Sequence, residues 1–440
     1  MNVHADVARI AALVPGEPAG ADHIELSGPS YVAASAFDVD GLLAATAVYS
    51  IAAIDALERG TSTPRAIDLE HLLAFCTTHV EVDGEEVPAW DELSGVYETA
   101  GGRHIQVHCN FAHHAAGVVE RLGCASDRAA LASAIGERDA FELEAELISD
   151  GLIGAVVRSL AEWDSHPHAL ATRNLPLVSI EQVGEAAPVR ASAMSGLRVL
   201  DCSRVLAGPS AGQLMANLGA DVMRIGADHL ASVPVCVMST GFGKRNAATD
   251  LRTPEGRAAM VELLAGADVW IDAYRPGAMA AYGFTPDRVA EIRPGIVVIQ
   301  ISAFDSVGPW AGRRGYDSIV QSTTGIRWAG GQHGGNGLTG LPVQALDYAT
   351  GFLAAGVAAQ LVAHQREDGG SWCAQVSLLR TRNELLRRGG PHSFVGSPVS
   401  VDPRFLCSMG SDFGRVTAVR PFAGEWAGAP MLLGSSSPEW

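Results

Sequence analysis

The sequence predicts an α/β protein: a parallel sheet with a second, smaller α+β domain. Three observations lead there. Beyond residue 196, short apolar runs alternate with helical patterns. Before about residue 185, alanine-rich helices flank a glycine-turned hairpin instead. Between the halves, GEAAPVRASAMSG (184–196) is rich in small residues, contains Pro188 and lacks apolar periodicity, as a linker does.

In the second half, LRVLDCS (197–203), ADVMRI (220–225), DVWIDA (268–273) and GIVVIQIS (295–302) read as strands. They are near-continuous apolar runs, the mark of parallel strands covered on both faces. AGPSAGQLMANLG (207–219) reads as a helix with a glycine stop. TPEGRAAMVELLAGA (253–267) starts on Thr253 as N-cap with Pro254 in the first helical position, and TPDRVAEI (285–292) repeats that start. The expected core is therefore a Rossmann-like parallel sheet.

In the first half, residues 41–60 form an Ala/Leu-rich helix closed by Gly60. GVYETAGGRHIQVHC (95–109) reads as a hairpin turning at Gly101-Gly102, and 127–151 and 152–164 read as helices. There is also a faint repeat. Residues 351–370 align without gaps to 41–60, matching at Gly41/Gly351, Leu43/Leu353, Ala44/Ala354, Ala45/Ala355, Ala53/Ala363 and Gly60/Gly370.

Composition bounds the function. The chain has 440 residues, 48% hydrophobic and 18% charged, enough for two or three domains with buried cores. A net charge of -18 argues against nucleic acid as a partner, since phosphate backbones need a basic face. Seven cysteines without a C-x-x-C pair point to a reducing cytoplasm rather than a disulfide framework. The N-terminus, with acidic residues and no long apolar run, does not read as a signal peptide, and no run of about 18 uninterrupted apolar residues predicts a membrane span.

Several cations follow strand ends, where open α/β sheets bind ligands. They are Lys244 and Arg245 in GFGKRN, read as a loop; Arg275 beside Tyr274 in AYRPG; and Arg313 and Arg314 in RRGYD. Each alone is an ordinary solvated side chain; gathered at one sheet edge they suit a polyphosphate. The turn RVLAGPSAG (204–212) either packs strand against helix or lets a ligand approach backbone N–H groups. No G-x-G-x-x-G follows any strand, which disfavours a nicotinamide enzyme. Asp347 stands at a helix entry, as an N-cap or as a nucleophile or base. His104, His108, His113 and His114 fit no zinc-ligand spacing, so no metal is expected.

GLRVLDCSRVLAGPSAGQLMANLGADVMRI, GKRNAATDLRTPEGRAAMVELLAGADVWIDAYRPGAMAAYGF and IVVIQISAFDSVGPWAGRRGYDSIVQSTTG, in this order, resemble the class III CoA-transferase family, which includes formyl-CoA transferase, carnitine CoA-transferase and α-methylacyl-CoA racemase. The resemblance covers about residues 196–375. It implies that Asp347, thirty residues beyond Asp317 of the Tyr-Asp motif, is the nucleophile, with Tyr316 and Asp317 beside it. It implies contacts to CoA, a substrate rather than a permanently bound cofactor, from Val205, Leu206, Lys244, Arg245, Tyr274, Arg275, Arg314 and Gly315. Racemases of the family carry His where this chain has Tyr316, a group poorly matched to proton shuttling near neutrality, so CoA transfer to a free carboxylic acid is favoured over α-proton exchange or a non-catalytic CoA-binding subunit. A cytoplasmic homodimer, free of nucleic acid and membrane, is the matching expectation.

The chain departs from the family in order. The part resembling the family's small domain comes first. The expected organisation is a degenerate copy of the catalytic-helix segment (30–75), a small α+β domain (76–185), a linker (186–195), the CoA-binding domain (196–375) and a tail packing back on the core (376–440). Asp38 and Asp40 of the degenerate copy are off register and receive no catalytic role. Gly226, and GGSWCAQVSLL in place of a Gly-Arg-Gly-Gln phrase, are smaller departures.

Overall fold

The computed structural model describes every residue except 1, 19, 30–31, 58–63 and 190–192. The apolar runs of the second half lie side by side in a seven-stranded sheet, ordered Lys244–Ala248, Asp221–Gly226, Arg198–Cys202, Val269–Asp272, Val297–Ser302, Ser371–Ser377 and Ser179–Gly184. The first six are parallel and the last is antiparallel. All four expected strands are present. The intervening helices start as expected: Thr253 accepts from the Gly256 N–H at 3.0 Å and Thr285 from the Arg288 N–H at 3.3 Å.

The sheet holds more than the apolar runs foretold. GFGKRN is not a loop throughout, because Lys244–Ala248 is an edge strand, where polar residues are tolerated. The strand Ser179–Gly184 precedes the expected linker, so the large sheet takes one edge from the segment assigned to the small domain. Residues 190–192 of that linker lie outside the described residues.

The helix Ala345–Asp368 is the axis of the core, packed on both Ala207–Asn217 and Val39–Leu57. The two helices of the faint repeat therefore face each other. Tyr49 donates to Gln360 Oε1 at 2.9 Å, and Ser50 donates to the carbonyl of Phe352. The approach depends on Gly356, where a Cβ would lie 2.6 Å from the Tyr49 ring. Val39–Leu57 and Ala345–Asp368 are long and apolar enough to cross a membrane, yet both are buried in this core. Gly60, the expected stop of the first, lies outside the described residues.

The first half contributes an antiparallel sheet of Gly95–Glu98, His104–Val107 and Gly154–Val156, with the expected turn at Gly101-Gly102. Residues 127–151 are two helices, Arg128–Gly136 and Ala140–Ser149, because Asp139 caps a new start. Within 152–164 the chain forms the third strand before the helix Leu160–Asp164. A third sheet joins Leu406–Ser411 and Gly414–Val419 to Val80–Val82 and Glu85–Glu86, tying the tail to the first half.

Candidate active site

A cavity of about 830 Å³ opens beyond the carboxyl ends of the central strands. Of the residues singled out in the sequence, Val205, Leu206, Tyr274, Arg275, Arg314, Gly315, Tyr316 and Asp347 all line it. Val205 holds the strand-to-helix turn at φ 68°, the left-handed region that a β-branched residue rarely enters, so the backbone there is strained toward the cavity wall. Arg314 donates to the carbonyl of Gly151 at 2.6 Å, which ties the second half to the first at the cavity rim.

Asp347 lies in the first turn of the axial helix, 6% exposed. It is not the N-cap; that position is Gln344. The capping comes from another helix. Asp317 Oδ2 accepts from the N–H groups of Leu346 at 2.8 Å and Asp347 at 3.0 Å. Its other oxygen accepts from the Gln321 amide, whose own oxygen accepts from Leu341 N at 2.7 Å. Asp317 is fully buried, does not line the cavity, and so positions Asp347 rather than meeting a ligand. Burial pushes the Asp317 carboxyl up to about 6 against these hydrogen bonds. Burial, reinforced by the Asp317 charge, also holds the Asp347 carboxyl well above the usual carboxylate range. The Tyr316 phenol is pushed up to about 12, chiefly by burial.

Lys244 and Arg245 stand apart from the cavity lining. Lys244 is 3% exposed, and its ammonium donates to Asp201 Oδ2 at 2.8 Å and to the Pro209 carbonyl at 2.7 Å. Arg245 pairs with Asp221 at 2.7 Å and lies over the Trp440 ring. Successive residues of a strand point to opposite faces; Lys244 reaches a small pocket that shares Phe111, Arg204 and Val205 with the cavity, and Arg245 turns to Asp221. In this structure both cations are paired with carboxylates.

The cavity also has walls the sequence did not mark. Arg204, the first residue of the RVLAGPSAG turn, lines it and lies 4.9 Å over the Phe111 ring. Its signal was its place after the first strand, the rule that identified the other cations. Phe111, His113 and His114 come from the first half, at the start of the helix Ala112–Leu122. His108 stacks on Tyr316 with ring centroids 4.1 Å apart. Among the described residues no group of three or more His, Cys, Asp or Glu side chains is placed to hold a metal. Asp38 pairs with Arg388, and Asp40 accepts from the N–H groups of Val32 and Ala33 at 2.5 and 3.2 Å; both are away from the cavity.

This arrangement sets a carboxylate in a largely apolar cavity rimmed by guanidinium groups. Residues 194–388 match the family described as CoA-transferase family III. The chain is 32% identical over 217 residues to the succinate–glutarate CoA-transferase of Agrobacterium fabrum, covering 45% of this chain and 54% of that protein. It is 36% identical over 193 residues to the formyl-CoA:oxalate CoA-transferase of Streptomyces coelicolor, covering 41% and 46%. An acyl-CoA transferase of Gibberella moniliformis aligns over 378 residues at 27% identity, covering 73% and 65%. The chain thus spans about half the length of the curated relatives it matches. The part of the chain that matches CoA-transferase family III, residues 194–388, carries Asp317, Asp347 and most of the cavity wall.

Proposed function

We propose that the protein transfers CoA between an acyl-CoA and a free carboxylic acid, with Asp347 as nucleophile. The observation that carries this reading is the placement of Asp347: a buried carboxyl at the cavity wall, its backbone N–H anchored by Asp317, in a space that Arg275 and Arg314 also line. The names of the matched relatives, all CoA-transferases, support it.

In this reading the Asp347 carboxylate attacks the thioester carbonyl, the C–S bond breaks, and CoA thiolate leaves an acyl-aspartyl anhydride. The thiolate then attacks the aspartyl carbonyl, expelling the donor acid as its carboxylate and leaving an aspartyl-CoA thioester. The acceptor carboxylate reverses both steps. Charge balances throughout, and no net proton transfer is needed, which suits a cavity whose phenol, Tyr316, stays protonated near neutrality. Arg204, Arg275 and Arg314 would meet the phosphates of CoA. Lys244 and Arg245, already paired with Asp201 and Asp221, are not assigned that contact.

Incubation with a panel of acyl-CoAs, followed by hydroxylamine or borohydride trapping and peptide mass spectrometry, tests the mechanism. Modification mapped to Asp347, absent in Asp347→Ala, is expected; full transfer activity in Asp347→Ala would refute it. We also propose a homodimer in a reducing cytoplasm, the setting that seven free cysteines suit. Size-exclusion chromatography with light scattering tests the dimer.

A further inference from the structure

The faint repeat in the sequence is also a repeat of structure. Strands Ile24–Ser27 and Arg65–Asp68 pair in parallel with the helix Val39–Leu57 between them, as Val297–Ser302 and Ser371–Ser377 pair with Ala345–Asp368 between them. In each copy the last residue of the second strand caps the next helix: Asp68 accepts from the Glu70 N–H at 2.8 Å, and Ser377 from the Arg380 N–H at 3.1 Å. The gap-free alignment sets residues 46–50 against 356–360. These are the segments that meet, since Tyr49 bonds Gln360 and Gly356 lies against Tyr49 and Ser50. Two copies that meet through the same surface are related as in a two-fold dimer, here within one chain.

The two copies differ at the carboxylate. Asp347 of ALD stands four residues before Gly351, whereas Asp38 of AFD stands three before Gly41. One residue of register turns a helical side chain by about 100°. Asp38 accepts from the Gly41 N–H at 3.0 Å and pairs with Arg388 at 2.8 Å, away from the cavity that Asp347 lines. The Arg388 side chain is 4% exposed and also holds Asp6, so the Asp38 carboxylate is committed to a buried cation.

The segment that follows the first copy supplies the wall opposite the sheet. Phe111 and His113 line the cavity, and His108 stacks on Tyr316. This contact is buried. Arg313 bonds Glu144 at 3.3 Å and the Gly154 carbonyl at 2.9 Å, the two side chains are 6% and 7% exposed, and Glu144 also pairs with Arg158. The face of RRGYD that a second copy of the chain would have to cover is therefore already filled. We propose that the first half acts as an internal partner: it completes the Asp347 site in cis, so each chain carries one catalytic centre and needs no second copy to form it. The single centre rests on the reading of Asp347 as nucleophile. A homodimer then holds two independent centres.

The test pairs two variants of the full chain. Asp347→Ala lacks the nucleophile. Phe111→Glu puts a carboxylate under Arg204 in the cavity wall and should weaken CoA binding by about tenfold or more in calorimetry. If thermal melting shows that Phe111→Glu does not fold, His113→Glu, at an exposed position of the same wall, replaces it. The two variants are co-expressed with different tags, and mixed pairs are isolated through both tags. Mixed pairs no more active on a panel of acyl-CoAs than the variants alone are expected; restored transfer means that one copy lends its wall to the other and overturns the proposal. If no mixed pair forms, the wild type at the mass of a single copy should be active, and inactivity there overturns the proposal. Trapping should label Asp347 once per chain, and a label on Asp38 overturns it as well. If no acyl-CoA turns over, the transfer reading fails instead. Completion in cis is then read from CoA binding alone: one CoA per chain, with a Kd unchanged as the wild type is diluted to single copies, supports it, and a Kd that weakens on dilution overturns it.

Discussion

Asp317 Oδ2 accepts the backbone N–H groups of Leu346 at 2.8 Å and Asp347 at 3.0 Å, so one carboxylate fixes the helix turn that carries the other. Replacing Asp317 by Ala orphans three buried donors, the N–H groups of Leu346 and Asp347 and the Gln321 amide, each worth about 1–3 kcal/mol. In the proposed reaction kcat should fall by about ten- to a hundredfold. KM for CoA should change little, because Asp317 does not line the cavity. Asp317→Asn keeps an acceptor oxygen but removes the charge that helps raise Asp347. Its kcat loss should be smaller, and the acid limb of its pH–rate profile should move to lower pH. A purely structural role for Asp317 would leave that limb in place.

The same pair sets a stability trend. Both carboxyls bind protons more tightly when folded than in the unfolded chain, where carboxyls titrate near 3.9. Stability contributed by a raised carboxyl pKa is present at low pH and lost as pH rises through the folded value. For Asp317 the window runs from the ordinary carboxylate range to about 6; for Asp347 it extends upward from that range. Asp347→Asn removes one titrating group without changing its shape. Its urea midpoint should exceed that of the wild type at pH 7, and the gap should close as pH falls toward about 4. Activity should be lost at every pH. A gap that widens on acidification would contradict the raised titration.

The site was legible where chemistry follows strand ends. Val205, Tyr274, Arg275, Arg314 and Asp347 converge on one cavity because a parallel sheet sends every crossover to the same edge. Lys244 and Arg245 are not among the lining residues for a physical reason: a two-residue basic pair signals charge but not direction, and the strand starting at Lys244 buries one and turns the other to Asp221. The capping of the axial helix by Asp317 was equally hidden. It spans thirty residues, and capping patterns in sequence are local. The walls from the first half could not be seen at all, because nothing in RHIQVHCNFAHH says that its histidines return to a site 200 residues downstream.

The two basic residues at the edge strand therefore separate from Arg314 in experiment. Lys244→Met leaves Asp201 buried without its partner, and breaking such a pair costs about 3–5 kcal/mol. The urea midpoint should drop accordingly. Arg245→Ala breaks a partly exposed pair, and about 1 kcal/mol or less is expected. Arg314→Ala should instead leave stability nearly unchanged and weaken CoA binding by about tenfold or more in calorimetry, the value of a charged hydrogen bond to phosphate. Equal weakening of CoA binding by all three would return the edge strand to the site.

The contact between the two repeat helices gives the last prediction. Alanine in place of a helical glycine normally stabilises by about 1 kcal/mol. At Gly356 the added Cβ would sit 2.6 Å from the Tyr49 ring and 2.9 Å from the backbone of Ser50, and neither the buried ring nor the backbone has room to withdraw. Overpacking costs about 1–3 kcal/mol and should win. Gly356→Ala should therefore lower the urea midpoint. Tyr49→Ala alone should also destabilise, by cavity formation and by loss of the 2.9 Å bond to Gln360. Combined, the two should be less harmful than their sum, because the first no longer meets the ring. Strict additivity would mean that Gly356 is felt through its own helix and not through its partner.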